Sequence, residues 1–415
     1  MNPVLPKKHF VPDGEARVMP DGRLYVYGSY DISGRQEYCS DVLHVFSTDD
    51  MLHWTDHGVS FRVRDVPWAE PDCRLLAPDC IYRDGRYYLY FCLSNNGEGV
   101  AVADQPWGPF EDPQPIDIAN GDGIDPAIFI DGDGQAYYYW GQFSLRAAKL
   151  NADMRTLESA SITRGLIDEK RFGFHEGASV RKRNGLYYLV FSDISRGRPT
   201  CLGYATAQNP LGPYEYRGII IDNIGCDPQT WNNHGSIAEY RGQWYVFYHR
   251  ATQNGHFSRR LCIEPIAFEP DGSIREVLPT TQGVEPPIRV GTVIAAADAC
   301  RLAGNGVKTH ILPDDKHPGE EVLHGLSREG WAAYRYVDFD KPVSTAQIVM
   351  ETEKSGVVEV WADNECIGCI PVSPTNGECR TFSAPVSAPF GVHTLYLEWK
   401  LEEDATAVLK SVLLC

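Results

Sequence analysis

Five times along this chain a glycine turn is followed by an aromatic-rich strand: Gly22-Arg-Leu-Tyr-Val-Tyr, Gly85-Arg-Tyr-Tyr-Leu-Tyr, Gly134-Gln-Ala-Tyr-Tyr-Tyr, Gly185-Leu-Tyr-Tyr-Leu-Val and Gly242-Gln-Trp-Tyr-Val-Phe. The glycines stand 63, 49, 51 and 57 residues apart, the length of a four-stranded sheet with its loops. A repeat of that period is the signature of a β-propeller, whose units bury their faces only against their neighbours. Roughly the first 280 residues are therefore expected to form five blades around a channel.

Upstream of each turn glycine, by 9, 8, 9, 9 and 8 residues, stands a short element that should begin the blade's innermost strand: Asp13-Gly, Ala77-Pro, Asp125-Pro, Glu176-Gly and His234-Gly. Innermost strands line the axis of a propeller, so their first residues converge on one mouth of the channel. Two aspartates, a glutamate and a histidine would meet there. Clustered carboxylates repel one another and cost folding free energy unless function uses the perturbed pKa values. Asp-Pro and Glu-Gly are also ordinary turn chemistry at a strand start, but four titratable residues in one register read better as an active site.

At 415 residues the chain exceeds one ordinary core, and five blades leave roughly 130 residues for a second domain. The formal net charge of -18 offers no basic surface to neutralise phosphates. Nucleic acid and anionic membrane are thereby disfavoured as partners, and a neutral ligand is favoured. The opening Met-Asn-Pro-Val-Leu-Pro-Lys-Lys-His-Phe has no apolar run of signal-peptide length, so a cytoplasmic location is expected. No stretch approaches the ~20 apolar residues of a membrane span. Of the 12 cysteines most sit in apolar strand patterns, as Cys92 and Cys262 do, and read as buried thiols. Cys366-Ile-Gly-Cys369 lacks a second pair at zinc-finger spacing and reads as strand-turn-strand. No organic cofactor is expected, and the composition does not speak to oligomeric state.

The expected organisation is all-β: a five-bladed propeller over 1–283, a linker over 284–295 and a β-sandwich over 296–415. Gly99-Val-Ala-Val-Ala before Trp107-Gly-Pro-Phe recurs as Gly203-Tyr-Ala-Thr-Ala before Leu211-Gly-Pro-Tyr, a second sign of repetition. Glu285-Pro-Pro marks the linker, because proline supplies no ladder donor. Alternation in Gln347-Ile-Val-Met-Glu-Thr, Gly356-Val-Val-Glu-Val-Trp and His393-Thr-Leu-Tyr-Leu-Glu-Trp then predicts the sandwich.

The propeller resembles family 43 glycoside hydrolases over nearly all of residues 1–283. Asn2-Pro-Val-Leu-Pro, Val11-Pro-Asp-Gly-Glu-Ala-Arg-Val, Leu76-Ala-Pro-Asp, Gly123-Ile-Asp-Pro-Ala-Ile-Phe, His175-Glu-Gly-Ala-Ser and Asn233-His-Gly-Ser-Ile are similar to that family's blade starts and occur in the same order. The resemblance implies inverting hydrolysis, with Asp13 as general base, Glu176 as general acid and Asp125 as the carboxylate that orients the acid and raises its pKa. The chemistry agrees. Inversion needs one carboxylate to activate water and a protonated one to serve the leaving oxygen, ~6.5–9.5 Å apart, and blades one and four lie across a five-bladed ring.

The resemblance also implies that His234 faces a channel ion, commonly calcium, as one neutral ligand or as an anchor among waters. It implies too that an arginine of the pair Arg259-Arg260 contacts sugar hydroxyls. Strand alternation sends only one of the two inward, and spacing favours Arg259. Two departures stand out: Asp13-Gly replaces a frequent Asp-Pro, and Leu76 replaces a tryptophan that walls the sugar. Trp68, Trp140, Phe143, Phe174 and Trp231 are the rim aromatics that could take its place, weighed against the aromatic core through which blades pack.

The C-terminal part is similar to a family 6 carbohydrate-binding module through Gly330-Trp-Ala-Ala-Tyr-Arg-Tyr-Val-Asp-Phe and Gly391-Val-His-Thr-Leu-Tyr-Leu. Such modules pinch a sugar between two aromatics, but Pro374-Thr-Asn-Gly-Glu-Cys-Arg-Thr-Phe lacks the expected tryptophan. A structural domain packed on the propeller is expected, with Trp331 and Tyr334 as the remaining binding candidates.

The expected function is exo-acting removal of terminal pentose units from plant-derived oligosaccharides. An α-L-arabinofuranosidase is placed first, with β-xylosidase and galactofuranosidase or galactanase as alternatives. A non-catalytic glycan-binding propeller would be expected to have lost one of the three carboxylates. A retaining fructan hydrolase or transferase would carry Asn-Asp-Pro-Asn-Gly and Arg-Asp-Pro where this chain has Val-Pro-Asp-Gly and Ile-Asp-Pro.

Overall fold

The five turn glycines share one backbone geometry, with φ between 81° and 87° at Gly22, Gly85, Gly134, Gly185 and Gly242. A Cβ at any of them would meet nothing within 4 Å, so the left-handed backbone and not space demands glycine. At Asp84-Gly85, Asn184-Gly185 and Arg241-Gly242 both residues have positive φ, the two-residue hairpin whose twist matches that of the flanking strands.

The structure is a computed structural model that describes residues 1–118, 123–304, 308–312, 320–402 and 406–415. Each turn joins the first two strands of an antiparallel sheet. The first four sheets have four strands in sequence order, and their innermost strands are Glu15–Val18, Leu75–Arg83, Ala127–Ile130 and Phe174–Arg183. The fifth, starting with Ser236–Tyr240, has three strands where four were expected. The N-terminal segment lies along its open edge: Val4 N donates to Leu261 O at 3.1 Å, and Asn2 exchanges bonds with Ile263. Successive innermost strands touch one another in order, and that of the fifth sheet touches that of the first, where Gly14 and Gly235 form a parallel bridge.

The innermost strands of sheets two and four begin at Leu75 and Phe174, two residues before the expected Ala77 and Glu176. Both carry register shifts, between Leu76 and Asp79 and between Glu176 and Ser179. A bulge of this kind re-aims a side chain at the end of a strand.

Charged side chains link the innermost strands from within. Arg17 donates to both oxygens of Asp79, at 3.0 and 2.6 Å, and to Ile128 O at 2.7 Å, which joins sheets one, two and three. Arg181 of sheet four reaches Glu15 and donates to Ala16 O at 2.7 Å. Buried charges of this kind persist only when paired.

Beyond the fifth sheet, two six-stranded sheets share one apolar cluster that includes Tyr334, Ile348, Leu397 and Val412. The stretch expected as a linker contributes two short strands to them. Ile288–Arg289 pairs in parallel with Val337 and Asp338, and Ile294–Ala295 pairs with Val412 and Ser411. The prolines therefore mark only the start of the crossing. Cys366 and Cys369 fall within the one strand Glu365–Val372, not on two sides of a turn. The N- and C-terminal parts meet through Thr281 N to Arg335 O and Leu302 N to Gly225 O, both 2.7 Å, and through the buried Arg260–Glu321 pair at 2.6 Å.

Candidate active site

Asp13 and Asp125 occupy left-handed backbone, with φ of 59° and 55°, a conformation that aspartate tolerates better than most residues. In the fourth sheet that role passes to Gly177, with φ of 73°. A Cβ there would lie 2.8 Å from Cδ2 of His234, so the imidazole packs flat against the glycine. Glu176 stays in the strand and is partly exposed, whereas Asp13 and Asp125 are 6% and 5% exposed.

Asp13 is fully engaged. Oδ2 accepts from Ser29 Oγ at 2.7 Å and Oδ1 from Arg259 Nη1 at 3.1 Å, while His249 Nδ1, which accepts from Asp13 N, lies 3.3 Å from Oδ1. Ser29 in turn accepts from Ala77 N at 2.8 Å, tying the base of sheet two to the same carboxylate. Glu176 Oε2 accepts from Gln142 Nε2 at 2.7 Å. His234 Nδ1 lies between the aspartates, 3.7 Å from Asp125 Oδ2 and 3.9 Å from Asp13 Oδ1.

The two aspartates are driven in opposite directions. Burial pushes the Asp13 pKa up, but Arg259, the contact with His249 and the nearby His234 outweigh it and hold the carboxyl far below the usual range. Asp125 is pushed well above that range by burial and by the carboxylates of Glu176, Asp13 and Glu98, against which Arg259 counts least. Asp125 is the carboxyl of the site that is buried without a close cation, which is why its pKa is driven up.

Among the residues singled out for substrate, Trp140 and Phe174 are 0% exposed and belong to the aromatic core, so neither can stack on a sugar. Arg260 points away from the mouth, reaching Lys7 O and Glu321 and lying over Phe10. Arg259 does point inward, yet four of its five N–H groups serve Asp31, Asp13 and Cys39, which makes it a positioning residue for Asp13. Phe143 is 50% exposed beside Gln142 and edge-on to His175, and Trp231 is 48% exposed with Arg198 over its ring. Of the aromatics singled out for substrate, these two keep an exposed face. A cavity of about 420 Å³ opens alongside, between loops 33–36 and 253–258, where Phe257 packs on Tyr38 and Tyr38 on Arg259.

Ser29, Asp31, Gln142 and His249 were not foreseen. Three of them follow the turn glycine of their sheet by a readable interval: Ser29 and His249 by seven residues and Gln142 by eight. The second strand of a hairpin returns to the level at which the first began, so its end faces the same mouth.

Calcium takes about six to eight oxygen ligands. Around His234 both oxygens of Asp13 are already bonded, leaving one nitrogen and the Asp125 carboxyl as donors. An ion here would be held mainly by water, and no step below is routed through it.

Glu98 lies behind Asp125, where it accepts from Tyr138, and burial pushes its pKa up to about 8. The folded chain therefore keeps a proton that the unfolded chain sheds near ~4.3, so stability is present at low pH and declines as pH rises towards the folded value. Glu98→Gln is expected to remove that decline, a gain of about 4–5 kcal/mol at pH 8 and little change at pH 4. Thermal melts of both chains across that range check it, and parallel melting curves would refute it.

In the C-terminal part Tyr334 is 0% exposed and donates to Ala296 O at 3.0 Å, so it is core and not a binding residue. Trp331 is partly exposed, in a cleft of about 290 Å³ with Trp361, Tyr396, Asp363, Asn364 and Glu398.

The model of a family described as glycosyl hydrolases family 43 matches residues 1–274. A xylosidase/arabinosidase of Thermoclostridium stercorarium is 32% identical, over 100% of this chain and 98% of its own length. Among solved structures, a β-xylosidase/α-arabinofuranosidase from a compost microbial metagenome, in complex with xylotriose in a calcium-free form, is 30% identical with a TM-score of 0.59, over 67% of this chain and 97% of its own. An α-L-arabinofuranosidase from Clostridium thermocellum is 34% identical with a TM-score of 0.55, over 66% of this chain and 95% of its own.

Proposed function

The chain belongs to glycosyl hydrolase family 43 and is a glycoside hydrolase, and on that premise we propose that it is an exo-acting, inverting enzyme that removes terminal pentose units from plant-derived oligosaccharides. α-L-arabinofuranosidase and β-xylosidase are the two activities supported, since relatives bearing both names match the chain. The observation that carries the reading is the opposed pKa shift of Asp13 and Asp125, carboxyl groups that face the same imidazole. Acid–base chemistry at one pH requires titratable groups whose environments push them apart.

In this reading Asp13, kept ionised by Arg259, accepts a proton from the attacking water. Glu176, at the mouth and oriented by Gln142, reaches the leaving oxygen and protonates it. Asp125, behind Glu176, shares with it the one proton of the pair; Glu176 gives that proton to the leaving oxygen, and the pair is left ionised until a proton returns from solvent. Phe143 and Trp231 supply the wall that Leu76 does not.

The five small sheets read as propeller blades over 1–283, supported by the cyclic order of their innermost strands. The two six-stranded sheets, formed by 296–415 with the short strands Ile288–Arg289 and Ile294–Ala295, read as a β-sandwich resembling a carbohydrate-binding module. Its buried contacts with the fifth sheet support a structural role.

Leaving groups separate acid from base. Glu176→Ala is expected to lower kcat/KM on unactivated oligosaccharides by about 10²–10⁴-fold and far less on activated aryl glycosides, which need little protonation. Asp13→Ala should damage both alike. Equal losses for both variants on both substrates would void the assignment.

A further inference from the structure

We propose that His9, His44 and Asp56, on the flank of the first sheet, form a binding site for a divalent transition-metal cation, zinc being the ion they match best. Among the described residues they are the one group of histidine, cysteine and acidic side chains whose ligand atoms all converge within 4.8 Å. His9 Nε2 is 3.3 Å from Asp56 Oδ2, and His44 Nδ1 is 3.3 Å from Asp56 Oδ1. Zinc bonded at ~2.0–2.1 Å in a tetrahedron sets neighbouring ligand atoms about 3.3 Å apart. Two imidazoles with one carboxylate suit zinc, nickel or copper and not the hard cations calcium and magnesium.

The second observation is an orphaned atom. His9 is 4% exposed, and its Nε2 is buried with no hydrogen-bond partner despite the nearby carboxylate. A buried polar atom left unpaired costs free energy and calls for an occupant. The surroundings are those of a ligating histidine, whose other ring nitrogen is normally held by a hydrogen bond. His9 Nδ1 lies 3.0 Å from Tyr30 Oη, the Tyr30 ring stacks on His44 at 4.3 Å, and Asp56 Oδ1 accepts from Gly58 N at 2.8 Å. The Asp56 side chain is 30% exposed, which gives the ion a way in and leaves the fourth position to water.

The ligands come from three stretches of chain. His44 and Asp56 lie on neighbouring strands of the first sheet, Val42–Thr48 and Trp54–Arg62, while His9 belongs to the N-terminal segment that bonds the edge of the fifth. A metal here fastens that segment to the first sheet, across the seam between the first and last repeats, and its expected effect is on stability and not on bond cleavage.

The test uses the full chain stripped with chelator, then given zinc chloride and passed through gel filtration. Expected are one zinc retained per chain and a raised melting temperature. His44→Ala and Asp56→Asn should abolish both, Tyr30→Phe should weaken zinc roughly tenfold, and His53→Ala and the double change Cys366→Ser with Cys369→Ser should leave both intact. Cobalt(II) is the second probe, giving a tetrahedral absorption spectrum that Asp56→Asn removes. Asp56 is partly exposed, so that variant stays folded and its result stands even if His44→Ala does not fold. Substoichiometric zinc in the unaltered chain, retention undiminished by Asp56→Asn, or loss in the cysteine variant would each overturn the proposal.

Discussion

Arg259→Met is expected to cost about 3–5 kcal/mol of stability, because it strands two buried carboxylates at once. Asp31 is 0% exposed and takes two of the guanidinium bonds, and Asp13 takes a third. The same change acts on pH dependence. A carboxyl whose pKa falls on folding contributes stability in full above its unfolded value near ~3.9 and loses it as pH drops through the folded value. Asp13 is such a group, so the carboxylate proposed as the base stays ionised through the neutral range. Without Arg259, burial dominates, and the acid limb of the kcat/KM profile should move up in pH while its alkaline limb stays. Arg259→Lys, which restores a charge but not the fork, should recover part of the shift. An unchanged acid limb in a folded Arg259→Met enzyme would show that the guanidinium does not hold Asp13 in its working state.

The second large effect is expected in the channel. Arg17→Met leaves Asp79, 1% exposed, without the cation that binds both its oxygens. Breaking a buried pair from one side costs about 3–5 kcal/mol, a fall in melting temperature of roughly 10 °C for a domain of this size. Removing both partners, Arg17→Met with Asp79→Leu, should restore most of it, since an apolar pair of similar volume needs no counter-charge. A single variant as stable as the parent would mean that water reaches Asp79. A double variant no better than the single would mean that the arginine's bond to Ile128 O matters more than its charge.

What the sequence revealed, and what it hid, follows from the range of each interaction. The turn glycines and the starts of the innermost strands were legible because a left-handed turn is decided by two or three adjacent residues. The inward direction of Arg259 and the outward one of Arg260 were legible because strand alternation is equally local. Trp140 and Phe174 were misplaced because an aromatic at a strand end looks the same whether a neighbouring blade covers it or leaves it open; Phe143, three residues after Trp140, is the exposed one. Nothing local marks Arg17 and Arg181 as buried; only the ring brings Asp79 and Glu15 beside them. The upward pull on the Asp125 carboxyl was beyond reach for a similar reason: its neighbours Glu98 and Glu176 come from other sheets.

The left-handed backbone at Asp13 and Asp125 also limits how the enzyme can change. At φ of 59° and 55° aspartate and asparagine, whose short side chains bond locally, are among the residues best tolerated after glycine, and a β-branched one is strained. Asp13→Asn therefore keeps the backbone and loses only the charge, whereas Asp13→Val would lose the charge and strain the backbone as well. Position 176 is released from that limit because Gly177 takes the left-handed turn in its place, so it can vary in shape without a backbone cost.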